Sequence, residues 1–450
     1  MKRKREAKQD RSGSSGSKLD PIPVDAKLPG KFVIKPHQKK KRQRRDLLCN
    51  QTGTSSSSSK LDSLPDELKL DILNRLPAKS LANFRCVSKM WSSIIRSPEF
   101  VRSFFSLSSR RPRLMVALGN GIYNRSTEER LIFFFSFSPE DEEESSSLVP
   151  NFDMAISSVT FTSDSSCTSV HGFLAVKAGG LLSICNPCTE QFIEFPSCTT
   201  HVGYDPIGDQ YKALFKRMVY EFRNGILSHL PELKVLTLGE GGGWRLIKPP
   251  TTMPNFKTLS VGVSIDGFVY YGAYSPARPT NPGIVCFDVR SEKLSYIKAP
   301  PAVVRYGDDS IFIEYKGKLA SIVPADPYGR FERFDMWVLE DVHKHEWSHH
   351  MCVIPLSMWD FVGGFRLSFP GANKAGELIM APTMLSRHVQ PFYIFYYNVK
   401  TRNIRRVRLL GIGDNQEFRR SYGFVEQSEC HVRISPQHIE SIAFFKNPTT

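Results

Sequence analysis

At 450 residues, the chain has room for two or three domains, and its 40% hydrophobic and 23% charged residues are ordinary for a globular protein. No run of eighteen apolar residues occurs, and the longest candidate, Leu131-Ile132-Phe133-Phe134-Phe135, is strand-sized, so no membrane span is expected. The formal charge of +15 suggests nucleic acid, but 17 of the 60 Lys and Arg and 5 of the 45 Asp and Glu fall within residues 1–60, which therefore carry +12 of it. The remaining chain is close to neutral, which argues against a basic folded surface. The N-terminus lacks the apolar core of a secretory signal. The nine cysteines are an odd number without framework spacing, as suits free thiols in a reducing compartment.

Residues 1–60 are rich in Lys, Arg, Ser and Pro and end in a run from Ser55 to Ser59. Such a composition cannot bury enough apolar surface to fold, so a disordered basic arm is expected. It holds two dense clusters, Lys2, Arg3, Lys4 and Arg5, then Lys39, Lys40, Lys41, Arg42, Arg44 and Arg45. Clusters of this kind suit a nuclear import receptor or phosphates, with a plain solvated tail as the third reading.

Residues 61–105 hold three short amphipathic helical patterns. Pro65 suits a first helical turn, where its missing N–H would be unpaired anyway, and Asp66 and Glu67 follow at the positive end of the helix dipole. Leu68, Ile72, Leu73 and Leu76 then recur at helical spacing as one apolar stripe, with Lys69, Asp71, Asn74 and Arg75 off it, and Pro77 ends the helix. A second helix is expected around Leu81 and Phe84, and a third around Trp91, Ile94 and Ile95, with the helical pattern stopping at Phe100. Forty residues in small helices bury little surface alone and should lean on a partner.

The blocks Leu64-Pro65-Asp66-Glu67-Leu68, Ile72-Leu73-Asn74-Arg75-Leu76-Pro77 and Cys86-Val87-Ser88-Lys89-Met90-Trp91 closely resemble the plant-type F-box. Asp71 stands where that family usually has glutamate, and Asn83 where arginine is common. The resemblance implies docking to the SKP adaptor of a cullin–RING ubiquitin ligase through Leu64, Pro65, Leu68, Ile72, Leu73, Leu76, Pro77, Leu81 and Val87, with Trp91 holding the module together.

Beyond Phe100 come short runs of β-branched and aromatic residues separated by Gly, Pro, Asn, Asp and Ser, with no long amphipathic helix between them. Leu131–Phe137, Leu181–Cys185, Ile284–Val289 and Tyr393–Val399 are examples. A unit of strand, polar residue, turn and second strand recurs, with polar markers at 186, 237, 288, 340 and 398, spaced by 51, 51, 52 and 58 positions. A fainter forerunner, Phe135-Ser136-Phe137, precedes the first. A period near 50 with about four strands per unit marks a β-propeller blade, because a lone blade has two apolar faces that only neighbours can cover. Six markers predict six blades, with room at the ends for a seventh; an open β-solenoid or sandwich is the other architecture this pattern permits.

Gly203-Tyr204-Asp205-Pro206, Val235-Leu236-Thr237-Leu238-Gly239, Phe287-Asp288-Val289-Arg290 and Trp337-Val338-Leu339-Glu340-Asp341 resemble the F-box-associated interaction domain of plant F-box proteins. That resemblance covers roughly residues 110–410 and implies a kelch-like propeller that holds a target protein. The basic arm and the acidic insert Glu140–Glu144 are not part of it.

Residues suited to catalysis or metal binding have plainer readings. Cys185-Asn186-Pro187-Cys188 is a single CxxC, half a zinc site, and its Asn-Pro reads as a hairpin turn. His343, His345, His349, His350 and Cys352 sit on a hairpin whose side chains alternate faces, so no metal site is assigned. Gly239–Gly243 lacks the third glycine of a dinucleotide loop and is followed by no Gly-Lys-Ser/Thr.

The expected architecture is α+β and multidomain: a disordered basic arm (1–60), a three-helix F-box (61–105), an all-β propeller-like, kelch-type domain (110–415) and a C-terminal segment (416–450) that closes it. The expected role is the non-catalytic substrate-recognition subunit of an SCF-type ubiquitin ligase. Its expected partners are an SKP-type adaptor and through it a cullin, an unidentified target, and an import receptor, without cofactor or membrane, in the nucleus, the cytoplasm or both. The alternative is a nuclear, nucleic-acid-associated regulator acting through the arm.

Overall fold

The computed structural model describes residues 64–444, apart from 121–130, 139–145, 158–160, 196–200, 224–225, 240–242, 251–252, 254–255, 259–261, 276–277, 305–309, 326–331, 362–365 and 425–429. The two basic clusters and the acidic insert thus lie outside the described residues.

The helical region contains four helices, α1 (Asp66–Asn74), α2 (Ala78–Phe84), α3 (Lys89–Arg96) and α4 (Pro98–Ser108). The fourth corrects the expectation that helical structure stops at Phe100. Ser97 caps it by accepting a hydrogen bond from the Phe100 N–H (3.3 Å), Pro98 occupies its first turn, and Phe100 and Phe104, one turn apart, are both buried. The exposed polar Arg102, Ser103 and Ser106 on its other face hid this period in the sequence.

The remaining chain forms six antiparallel blades. Blade 1 takes β1 (Arg113–Gly119), β2 (Leu131–Phe137) and β4 (Asn151–Ser157), while the short β3 (Ser147–Leu148) leaves it for another blade. Blade 2 is β5 (Ser166–Val170), β6 (Phe173–Ala178), β7 (Leu181–Asn186) and β8 (Gln191–Phe195). Blade 3 is β9 (His201–Asp205), β10 (Gln210–Arg223), β11 (Ile226–Thr237) and β12 (Arg245–Ile247). Blade 4 is β13 (Lys257–Thr258) and β14 (Val263–Ile265) inside β15 (Phe268–Ser275), β16 (Arg278–Asp288) and β17 (Lys293–Lys298). Blade 5 is β18 (Ile311–Tyr315), β19 (Lys318–Pro324), β20 (Arg333–Asp341) and β21 (Glu346–Val353). Blade 6 is β22 (Leu367–Ala372), β23 (Glu377–Pro382), β24 (Phe392–Asn398) and β25 (Ile404–Leu409), with β3 added in parallel to its outer edge.

The last strand, β26 (Val432–His438), pairs with β1 and becomes the innermost strand of blade 1. The innermost strands β26, β5, β9, β14, β18 and β22 touch one another in that order and return to β26, so the ring is closed. Each pair of neighbouring blades shares its own apolar core; between blades 1 and 2 it runs from Met115 and Phe134 to Leu174 and Cys185. Closure leaves no blade face uncovered, which disposes of the open solenoid and of a seventh blade.

The period seen in the sequence is the end of each blade's third strand. There Asn186, Asp288, Asp341 and Asn398 each accept backbone N–H bonds from the turn that follows, and Glu190, Glu292, His345 and Arg402 take a positive φ before the fourth strand. The marker expected at Glu340 is corrected to Asp341: a register shift between Leu339 and Asp341 moves the turn by one residue.

Candidate docking site

The first helix is not oriented as its apolar stripe predicts. Lys69 and Leu73 are its buried residues, while Leu68 and Ile72 are 50% and 41% exposed. Lys69 is held by Asp66, one turn back, at 3.0 Å. The stripe therefore splits, and half of it turns outward beside exposed Pro65, Leu70 and Pro77. Val87, at the end of the turn after α2, is 61% exposed, and Leu64 and Leu76 are half-buried. Of the nine residues expected at the adaptor, Leu73 and Leu81 are fully buried instead. They sit in the helical core with Ala78, Trp91, Ile95, Phe100 and Phe104, where Trp91 meets Phe84 edge-on at 5.7 Å. Both leucines support the exposed row from beneath.

The same core does not close on itself. Its remaining members are Cys188, in the turn between β7 and β8, and Ile442, just beyond the closing strand. Around them the seam is polar and specific. Asn186 Nδ2 donates to the carbonyls of Ser441 and Ala443, both at 2.9 Å, and the Arg85 guanidinium lies 3.7 Å above the Phe444 ring. Lys79 Nζ donates to the Phe152 and Asp153 carbonyls at 2.9 and 3.0 Å. Lys374 Nζ donates to those of Ser109 and Arg110 at 2.8 and 2.7 Å. Gly172, at φ +88°, brings the chain so close that a Cβ there would lie 2.5 Å from Ser441 Cβ.

His171 completes the seam, its ring tilted against Phe105 of α4 at 3.9 Å and stacked on Tyr204 of blade 3 at 3.5 Å. Burial pushes its pKa down to about 4, against the weaker pull of Asp209, so the ring is neutral at pH 7. Burial likewise raises the Asp153 carboxyl to about 6, and it raises Glu440, whose partner Arg113 lies 3.2 Å away. None of this was readable in the sequence, because the seam joins residues as distant along the chain as Arg85 and Phe444.

These contacts fix which face of the ring the helices occupy. His171, Cys188 and Lys374 all lie in or beside turns that join first to second or third to fourth strands. The opposite face carries the second-to-third-strand hairpins. The largest, β10–β11, runs on as a two-stranded ribbon from the Arg217–Glu232 pair to the Arg223–Ile226 pair, beyond the reach of β9 and β12.

The residues suited to other chemistry have plain structural places. Cys185 and Cys188 are buried, and burial pushes both thiols well up, away from the reactive thiolate. His349 stacks on Trp337 at 4.4 Å with Nε2 3.0 Å from Asp335, and among the described residues no group of three His, Cys, Asp or Glu is placed to hold a metal.

The description "F-box domain" matches residues 61–103, and "F-box associated beta propeller domain" matches residues 121–439. One Arabidopsis thaliana F-box protein is 51% identical over 99% of both chains, and a second is 49% identical over 85% of this chain and 98% of its own. The F-box protein DOR of the same plant is 36% identical over 78% of this chain and 89% of its own. The chain belongs to the F-box proteins that carry an F-box-associated β-propeller domain. Among solved structures, a periplasmic gluconolactonase of Pseudomonas aeruginosa covers 65% of this chain and 82% of its own at 11% identity, with a TM-score of 0.34.

Proposed function

We propose that this chain is the substrate-recognition subunit of an SCF-type, cullin–RING ubiquitin ligase. The observation that carries this reading is the outward half of the α1 stripe. Leu68 and Ile72 stand in water, outside the core that the helices share with Cys188 and Ile442, and an exposed apolar row of that kind calls for a partner. An SKP-type adaptor fits it, seated on Pro65, Leu68, Ile72, Pro77 and Val87 with Leu64 and Leu76 at its margin. The target then binds the face away from the helices, where the β10–β11 ribbon projects. Catalysis is by proximity: the chain supplies no reacting group and raises the local concentration of a target lysine near a charged conjugating enzyme.

The test is co-purification with an SKP adaptor. Leu68→Glu with Ile72→Glu places two charges on exposed positions and should abolish the complex while the melting curve of the chain stays unchanged. Retention of the adaptor by that folded variant overturns the assignment.

A further inference from the structure

The outer edges of the six blades are not treated alike. Blade 6 has its edge covered by β3, through Arg408 N–H to the Ser146 carbonyl (3.0 Å) and Leu410 N–H to the Leu148 carbonyl (2.9 Å). Blade 4 ends on β17, whose Lys293 and Lys298 are exposed and guard it against further pairing. The edge strand of blade 3 is only three residues long, and that of blade 2 exposes no large apolar side chain. Blade 1 ends on β4, whose Phe152 and Asp153 carbonyls are occupied by Lys79 Nζ from the helical region, whereas blade 5 is left open. Its edge strand β21 has eight residues, contains neither Lys, Arg nor Pro, and pairs on one side only among the described residues.

The side chains of that edge also ask for cover. Met351 and Val353, two apart on one face, are 52% and 53% exposed, and Leu356 just beyond is 61% exposed. On the same face His349 rests on Trp337, whose indole N–H is buried without a partner among the described residues. The apolar end of β21 is its C-terminal end, on the side of the ring away from the helices.

We propose that β21 is a docking edge that takes an extended segment of the target protein by strand addition, with apolar side chains of that segment against Met351, Val353 and Leu356. Backbone pairing would supply affinity, and the alternating apolar positions would supply selectivity. The molecule already uses this mode once, where β3 adds to β25. A second copy of the chain is a poorer occupant. Antiparallel pairing of two full β21 strands would lay Met351 and Val353 against the polar Glu346–His349 half of the other copy. A register that matches apolar to apolar would overlap only the last few residues. The proposal rests on the reading of the propeller as the target-holding domain and specifies where on it a target is gripped.

The experiment pans a displayed library of random dodecapeptides against the full chain bound to its adaptor. Enriched peptides should carry apolar residues at alternate positions and should slow hydrogen exchange at alternate amides of β21. Their affinity should fall at least tenfold in a chain with Met351→Lys and Val353→Lys, exposed positions where lysine costs the fold little. Peptides that protect another region, or that bind the lysine variant equally well, overturn the edge while leaving the target-holding role standing. Recovery of no peptide overturns it too, as does a concentration-dependent dimer that the lysines dissolve, which would make the occupant a second copy.

Discussion

Lys216 is the residue whose replacement gives the most quantitative test of the packing between blades 3 and 4. It is buried, donates to the Phe256 carbonyl at 2.6 Å and lies 3.6 Å from the Phe256 ring centre. Burial lowers its pKa from 10.5 to about 7. At about 1.36 kcal/mol per pKa unit, that drop penalises the charged side chain by on the order of 5 kcal/mol relative to the unfolded chain. Because the folded pKa is depressed, the unfolded state holds a proton that the folded state releases between pH 7 and 10.5, so the wild-type chain gains stability as pH rises through that window. Lys216→Met keeps the length of the side chain and removes the charge. It should stabilise the chain by about 2–4 kcal/mol at pH 6.5, since loss of the hydrogen bond to the carbonyl offsets about 1 kcal/mol of the gain. The advantage should shrink steadily towards pH 10. Urea midpoints of both chains at pH 6.5, 8 and 9.5 measure it. A difference that is flat with pH, or a variant less stable at every pH, would refute the reasoning.

Ile442→Ala should cost about 2–4 kcal/mol by emptying the wall that the C-terminal segment gives the helical core, and proteolysis should cut α1–α4 sooner than the blades. His171 is neutral in the fold, so its protonation in the unfolded chain should erode stability as pH falls from 6.5 towards 4. His171→Asn, which tolerates the positive φ there, should flatten that part of a stability–pH curve, leaving the parallel contribution of His438, held down to about 3 by burial. Removing residues 1–46 should leave the unfolding transition of the propeller in place and abolish nuclear accumulation of a fluorescent fusion; a steep salt-dependent loss of nucleic-acid binding on the same deletion would favour the regulator instead.

The third strands of the blades were legible because they are buried on both faces and end in the same turn. Ile184, Cys185 and Asn186, then Cys286, Phe287 and Asp288, repeat because two neighbouring blades and one Asx turn impose the same demands each time. Two of the innermost strands, β5 and β9, were much less so. In β5, Ser166–Val170, the side chains are small or polar, and in β9 a Cβ on Gly203 would meet Val289 at 2.4 Å. Such strands carry neither the alternation nor the β-branched richness that marks a strand in sequence. For α1 the spacing identified the helix but could not orient it. Leu68, Ile72 and Leu73 share one arc, and only the tertiary position of Trp91 and Leu81 decides that Leu73 turns in and Leu68 out. The exposed half of the docking row was visible in the sequence as apolar residues, and its exposure was not.

The seam at Ile442 also sets an order of events. The helices α1–α4 leave the ribosome first, whereas the strand that shuts the ring and the isoleucine that seals their core arrive only after almost the whole propeller has been made. A nascent or prematurely terminated chain therefore carries an F-box with one wall missing. The exposed row of α1 gains a fully packed support only once the last blade is in place, so under the proposed role recruitment is biased towards finished molecules.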